Sequence, residues 1–516
     1  MNDGIFGGSK PIFNDELIKL AKKEKLELPE NYYPALLNHQ YLKNDFAKYT
    51  KSYAWNPNPA AWEAAKNVFE RMFKLKLSSK SLTFDETVDH TDYMLSASPG
   101  FPWNKKYKTK RDCLENERVL IKSIIDRIFD DGIVSYDFLG EHYDNVFWLT
   151  SPKSEIRDIN KLNNADPKKR KTRTFMCGDI ITHTVGFMLY KNQNDSLIAY
   201  PAKDSWIAVG MNPWYGGWDR LCKSLLRNGS DSFHCYDASH MEASVSSAVQ
   251  GAIYDVRNAA IRNAAQTRVA QEWFQLQVTN SLIIDVDGRL CMKFGKNPSG
   301  NFNTLVDNTF ALFLVFLYTI ASFLLQIFSL SGIEDRLFSM ARDTAAAMLG
   351  DDSIFEDVPC LANLECAASE IGFDLKPETA PGPLSKCTFL SSQFFYHTRK
   401  RMWIQKAAFG KVMANLYYNF KNNSWRYVFV KLCAARKIFF AFEDERSQID
   451  SLLRYVSERH DVDMRDEKSI DEKLTYSASM SQLMSDSQNS FLIFGDESKT
   501  REDVLWTLDY GNSYRI

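Results

Sequence analysis

Cysteine is sparse and unpatterned in this chain of 516 residues. Nine thiols, an odd number, occur without a C-x-x-C spacing. That argues against a disulfide framework or a zinc site and for reduced thiols in a cytosolic-type compartment. Cys360 and Cys366 are near in sequence, yet no histidine stands at ligand spacing from them. Net charge is lacking too, with 63 basic against 65 acidic residues. A nucleic-acid partner would therefore have to be gripped by local basic clusters, because there is no global positive field. The opening Met1-Asn2-Asp3-Gly4 offers no apolar stretch of the signal-peptide kind, and no internal repeat or low-complexity tract appears. Long apolar runs are limited to one, residues 310–330, which carry no charge. It is long enough to span a bilayer. However, Thr319, Ser322 and Gln326 interrupt it, no Lys/Arg cluster flanks it, and a polar run leads directly into it. A helix buried on all sides is expected there, and no transmembrane segment.

What the chain does have is centred on Gly350-Asp351-Asp352. Residues 345–349 and 353–355 are apolar enough for two short strands, with Gly350 easing a tight reversal between them. Two adjacent carboxylates at a hairpin tip repel each other, and a divalent cation would relieve that. Upstream, residues 232–237 form a predicted strand ending in Asp237, with Glu242 five positions on and an Ala/Ser-rich helix expected over 242–265. An acid at the C-terminal end of a strand is a frequent metal ligand; capping of the next helix is the plainer alternative.

Basic residues gather in two places. Lys105, Lys106, Lys108, Lys110 and Arg111 follow the loop Ser96-Ala97-Ser98-Pro99-Gly100-Phe101-Pro102-Trp103, which cannot be helical. They form either a solvated face or a groove that guides a nucleic-acid backbone past Phe101 and Trp103. The second cluster runs from Lys153, Glu155 and Arg157 to the dense stretch Lys168-Lys169-Arg170-Lys171-Thr172-Arg173. On a strand, Lys171 and Arg173 would point the same way, an arrangement suited to a triphosphate. A nuclear-localisation tag is the alternative. Next, Asn297-Pro298-Ser299-Gly300 enters the apolar helix, where Thr304 and Asn308 share a face. A polar stripe running into a buried helix is costly unless it has work to do. The remaining expectations are helices over 15–25, 60–76, 361–371, 402–420, 425–442 and 447–459, and strands over 372–376 and 388–395. The tail from 461 is more polar, with an apolar patch at 491–494.

Taken in order, these stretches resemble the motif series of RNA-dependent RNA polymerases from positive-strand RNA viruses. Gly350-Asp351-Asp352 resembles the palm hairpin signature, and Asp237 with its acid at plus five the first palm strand. Ser299, Gly300, Thr304 and Asn308 match the S-G-x3-T-x3-N pattern position for position. Lys153, Arg157, Lys171 and Arg173 resemble the basic fingers motif that meets the incoming nucleotide. Ser98, Pro99 and Gly100 look like the template-guiding loop, and Phe389, Leu390 and the residues to Phe395 like the primer grip. Lys376 falls where a candidate acid-catalytic lysine usually lies, with Lys386 as a nearby substitute. The resemblance covers residues 96–395, and its wording around Asp307 and Asn308 is most similar to astrovirus and potyvirus polymerases.

The resemblance implies an α+β, right-handed fold with a small antiparallel palm sheet backed by helices. Fingers would come from 1–230 and 243–298, the palm from 231–242 and 299–395, and a mainly helical thumb and tail from 396–516. It implies Asp237, Asp351 and Asp352 as ligands of two Mg²⁺ ions, with Mn²⁺ able to substitute. Implied partners are an RNA template and primer, ribonucleoside triphosphates, a genome-linked protein primer and other replication proteins. The implied setting is the host cytoplasm at membrane-associated replication complexes. RNA has to be recognised by its 2′-hydroxyl, which the family reads with an Asp, an Asn and a Ser. Here Glu242 replaces the Asp and is one methylene longer, so discrimination is expected to lean on Asn308 and Ser299. Two rivals remain at this point. A reverse transcriptase also carries paired aspartates but does not explain the serine-glycine-threonine-asparagine series. A membrane-anchored RNA-binding scaffold leaves the spacing of Asp237, Glu242 and Asp351 unexplained.

Overall fold

The structure, a computed structural model, describes residues 12–460 apart from 27, 29–30, 52, 199–205 and 420–423, together with Ile493. Its central sheet joins four short strands that are distant in sequence. Across the sheet they run Ala346–Leu349, Asp352–Glu356, Phe233–Ala238 and Leu375–Pro377, each antiparallel to its neighbour. The first two are the expected hairpin, and Gly350 turns it at φ 65°, a left-handed conformation that a side chain would strain.

Alternation along Phe233–Ala238 sends successive side chains to opposite faces. Phe233 and Cys235 enter one apolar cluster with Trp218, Ile354 and Phe394, while Tyr236 and Ala238 enter another around the long apolar helix. Asp237 lies near the C-terminal end of this strand and is only partly covered.

The helix Thr304–Ile327 backs the sheet. It is long and apolar enough to cross a membrane, yet 72% of its most apolar window is buried inside the protein. Its aromatic rings explain why: Phe316 meets Phe355 of the sheet edge-on at 5.0 Å, while Phe310 and Phe313 meet Phe69 and Phe73 of helix Pro59–Phe73 at 5.2 and 5.3 Å. Such pairs add about 0.5–1.5 kcal/mol each beyond burial.

Two further sheets flank the centre. One is mixed, in the order Leu290–Phe294, Asn280–Ile284, Trp148–Pro152 and Thr174–Cys177, with its middle pair parallel. The other runs Thr388–Phe389, Ser392–His397 and Met402–Ala407. Beyond it, helices Phe409–Tyr417, Trp425–Ile438 and Glu443–His460 share an apolar cluster with helix Asp15–Lys23.

Several local expectations change. The helix expected over 402–420 starts as a strand, because Trp403 pairs with Tyr396 across the sheet and its backbone N–H donates to Asp219 at 2.9 Å. The helix expected over 242–265 is broken: Met241–Ser244 ends, and Ser246 caps a new helix, Ser247–Ala259, by accepting from Val249 N. Strand Thr174–Cys177 begins after Arg173, so Lys171 and Arg173 lie on its lead-in rather than on the strand itself. The strand expected over 388–395 is a hairpin that turns at Leu390 and Ser391, both at positive φ. Of the tail patch 491–494, only Ile493 is among the described residues, and it is buried in the C-terminal cluster.

Candidate active site

The register of the central sheet sets the site. Asp352 lies directly opposite Asp237, and Asp237 directly opposite Lys376. Residues paired in this way project from one face of the sheet with Cβ atoms about 5 Å apart. Asp351 occupies the turn beside them, its carbonyl accepting from Ala238 N at 3.1 Å. Two acids separated by more than a hundred positions are thereby joined at one end of the sheet's two central strands.

Their charges are unbalanced. Burial, then the neighbouring charge of Asp351 and Glu378, pushes the Asp237 carboxyl up to about 6. Burial, followed by Asp351, Glu378 and Asp237, pushes Asp352 up to about 7. Glu378, two residues beyond Lys376, is a fourth carboxylate, and no motif singles it out. Lys161 and Arg173 work in the opposite direction on Asp237.

Two contacts steady the hairpin. Thr309, next to Asn308 on the apolar helix, accepts from Gly350 N at 2.8 Å while donating to its own helix at Leu305 O. Leu305 also lies against Gly350. Neither Thr309 nor Leu305 belongs to the motif pattern, and only a structure could reveal them.

The loop before the helix is packed onto strand Thr174–Cys177. Ser299 Oγ accepts from Met176 N at 3.3 Å. A Cβ on Gly300 would lie 2.0 Å from Met176 O, so this position admits only glycine at that distance. Thr304 donates to the carbonyls of Pro298 and Asn301, closing the loop on the helix start. Asn308 Oδ1 accepts from Asn297 Nδ2 at 2.9 Å, which leaves the Asn308 amide group available to donate. Behind it, buried Arg257 is paired with Asp307 at 2.7 Å, and Tyr254 donates to the same carboxylate.

The basic cluster converges on Glu155. Arg173, Arg157 and Lys153 stand 3.5, 3.7 and 3.9 Å from it, and Arg157 donates to Lys171 O at 3.0 Å. Burial lowers the pKa of Lys153, Arg157 and Lys171. Burial also opposes the charge on Arg173, but Glu155, Glu242 and Asp351 outweigh it and raise its pKa. Arg173 thus bridges the basic cluster and the acids of the sheet.

The loop Ser98, Pro99 and Gly100 is fixed by its own backbone: Ile180 N donates to Pro99 O at 2.7 Å, and Asn104 N to Gly100 O at 2.8 Å. The basic run after it is less open than its composition suggested. Lys105 is paired with Glu141, Lys106 with Glu117, and Lys110 is buried. Trp103 is fully buried against Tyr136, so it belongs to the core and cannot stack on a nucleic acid. In the third sheet, Phe389 is buried, whereas the turn residue Leu390 presents its backbone N–H toward Asp352 and favours the ionised form. Lys376 is exposed and paired with Asp374 at 3.1 Å.

Among the described residues, no three His, Cys, Asp or Glu side chains form a ready-made metal cage. The donor chemistry nonetheless suits a hard cation, because Mg²⁺ is commonly held by one or two carboxylates plus substrate phosphates. Asp237 and Asp352, with carboxyls raised by burial and by like charge, fit such a half-built site.

This geometry agrees with what known proteins show. A family model described as viral RNA-dependent RNA polymerase matches residues 23–475. The chain belongs to that family. Among its relatives, the genome polyprotein of Zucchini yellow mosaic virus (strain Reunion Island) is 27% identical over 72% of the chain and 11% of the polyprotein. That of Watermelon mosaic virus II (isolate USA) is 26% identical over 70% of the chain and 33% of its own length. This polymerase therefore spans between about a tenth and a third of those relatives. A solved structure, the Sicinivirus 3Dpol RNA dependent RNA polymerase, superposes with TM-score 0.68 at 16% identity, covering 92% of this chain and 96% of the other. The likeness shows the right-handed polymerase fold. The chain is an RNA-directed RNA polymerase of the positive-strand RNA virus type, and neither the reverse-transcriptase nor the scaffold reading is favoured. Such polymerases work on RNA and nucleoside triphosphates and generally use divalent metal ions.

Proposed function

We propose that this polymerase extends an RNA primer on an RNA template from ribonucleoside triphosphates, replicating and transcribing a viral genome. The proposal assigns two Mg²⁺ ions, replaceable by Mn²⁺, to Asp237, Asp351 and Asp352. The register that sets Asp352 opposite Asp237 carries the reading. Bound there, the ions would stabilise both the attacking and the leaving oxygen of an in-line displacement at the α-phosphate.

The chain's own residues supply the rest. Lys153, Arg157, Lys171 and Arg173 form a fixed set of cations for the triphosphate, costing no reorganisation when charge develops. Asn308 and Ser299 face the sugar with Glu242, and Gly300 and Thr304 shape the loop that presents them. Lys376 gives a proton to departing pyrophosphate; its register position opposite Asp237 favours it over Lys386. Ser98, Pro99 and Gly100 guide the template, and Phe389 and Leu390 the primer end. Fingers, palm and thumb take the boundaries that the motif order implies. A genome-linked protein as primer, other replication proteins, and membrane-associated complexes in the host cytoplasm complete the proposed setting.

The direct test is extension of a primed RNA template with Mg²⁺ or Mn²⁺. Wild type is expected to extend it, and Asp351→Asn to lose at least about a hundredfold in rate, as loss of a main charge-stabilising group does. An Asp351→Asn variant as active as wild type would overturn the assignment.

A further inference from the structure

Glu242 departs from the family's usual aspartate, and the structure shows where its extra methylene goes. Its carboxylate meets Lys48 Nζ at 2.6 Å. Lys48 is only 2% exposed and comes from the turn Ala47–Thr50, 194 positions away in sequence. Its other partners are Asp45, at 3.0 Å, and the carbonyl of Thr174, at 3.4 Å. The ammonium donates hydrogen bonds to Glu242 and to the Thr174 carbonyl, and pairs with Asp45 by charge. Asp45 in turn accepts from both the backbone N–H and the hydroxyl of Thr174, at 2.7 and 2.8 Å. Thr174 directly follows Arg173. One buried lysine thus ties the acid at the sugar side of the site to the strand whose first residue directly follows the triphosphate-facing arginine.

We propose that Lys48 is a positioning residue for ribose selection: it holds the longer Glu242 side chain where it can read the 2′-hydroxyl. A free glutamate has one more rotatable bond than aspartate and would sample several orientations. A short charge-assisted contact to a buried cation selects one of them. The surroundings support this, since no other cation lies within ion-pair distance of Glu242 among the described residues. Burial works against the Lys48 ammonium, but Tyr49, Glu242 and Asp45 keep its pKa above the ordinary lysine value. The clamp is therefore charged at any working pH.

The inference rests on the polymerase reading, and its test separates the two. Single-nucleotide extension is measured with a ribonucleotide and the matching deoxyribonucleotide for wild type, Lys48→Met, Glu242→Ala and the double variant. Wild type that adds no ribonucleotide would refute the polymerase reading itself. With wild type active, Lys48→Met is expected to lower the ribo/deoxy ratio of kcat/KM about tenfold, the scale of one charge-assisted hydrogen bond. The loss should appear mainly as a higher KM for the ribonucleotide. In the Glu242→Ala background, Lys48→Met should change the ratio no further. Equal losses for both nucleotides, or an undiminished Lys48→Met effect without Glu242, would overturn the proposal and leave Lys48 a structural residue. Should Lys48→Met fail to fold, Glu242→Asp reads the same contact from the other side. Although it restores the family's usual residue, it shortens the reach to Lys48, so the ratio should fall, and adding Lys48→Arg should recover part of it. A Glu242→Asp ratio equal to wild type would overturn the proposal.

Discussion

The two aspartates facing each other across the central sheet are costly to the fold when no cation is bound. Their native carboxyls titrate at about 6 and about 7, against about 3.9 in an unfolded chain. The native state therefore binds these protons more tightly than the unfolded state does. Linkage then gives the sign: their contribution favours folding below about pH 4 and is lost as pH rises through 6 to 7. For the metal-free protein, Asp352→Asn removes one of the repelling charges, so it should raise the Tm at pH 8 and change it little at pH 5. Added Mg²⁺ should likewise stabilise wild type more at pH 8 than at pH 5, through selective binding to the native state. Differential scanning fluorimetry in EDTA and in Mg²⁺ across that range reads both effects. A Tm of Asp352→Asn below wild type at pH 8 would contradict the account. The sequence exposed Asp352 because its signal is local, a glycine and two acids between apolar strands, and Asp237 because it closes a predicted strand with an acid five positions on. It exposed neither Glu378 nor Lys48, whose roles depend on contacts that span the chain.

At the level of single elements, the loop before the apolar helix shows how one close approach holds several groups at once. Gly300 presses onto the carbonyl of Met176 in strand Thr174–Cys177, which brings Ser299 within reach of Met176 N. An added methyl would have to push the loop away from a backbone atom that cannot yield. Gly300→Ala is expected to shift the loop by roughly an ångström and lower kcat/KM for ribonucleotide addition by about a hundredfold. Gly251, inside helix Ser247–Ala259, has open space around it. Gly251→Ala should leave activity intact and stabilise by up to about 1 kcal/mol through helix propensity. Equal activity in the two variants, measured by single-nucleotide extension, would rule out the packing argument. Legibility varied among elements for a physical reason. Turns marked by glycine, such as that at Gly350, can be read from sequence. The turn at Leu390 and Ser391 cannot, because both adopt positive φ with residues that do not advertise it. Met402–Ala407 read as helix because its apolar spacing suits either period; the cross-strand partners from Ser392–His397 decide it.

For the molecule as a whole, the decisive element is the one whose sequence looked most like a membrane anchor. The order of the motifs implied a right-handed polymerase through resemblance, whereas periodicity alone gave only a mixed α and β chain. The helix Thr304–Ile327 shows why the long apolar run is compatible with that fold. Its start carries Thr304, Asn308 and Thr309 at the site, and its middle is enclosed by the central sheet and helix Pro59–Phe73. Burial on every side requires apolar residues on every side, and composition cannot distinguish that from a lipid environment. The two environments differ in how the chain behaves. A spanning helix resists alkaline carbonate, and cutting back one of its rings would cost little in lipid. A core helix is released, and the same cut leaves a cavity. Phe313 is fully buried between Phe69, Phe73 and Trp206, so Phe313→Ala should destabilise the fold by about 3–5 kcal/mol. In urea the unfolding midpoint should fall accordingly, and carbonate should release the isolated wild-type chain into the supernatant. A chain that stays with the membrane pellet, and whose Phe313→Ala variant unfolds at the wild-type midpoint, would mean that the run faces lipid. In that event Thr309 could not be held against the hairpin at Gly350 by this helix.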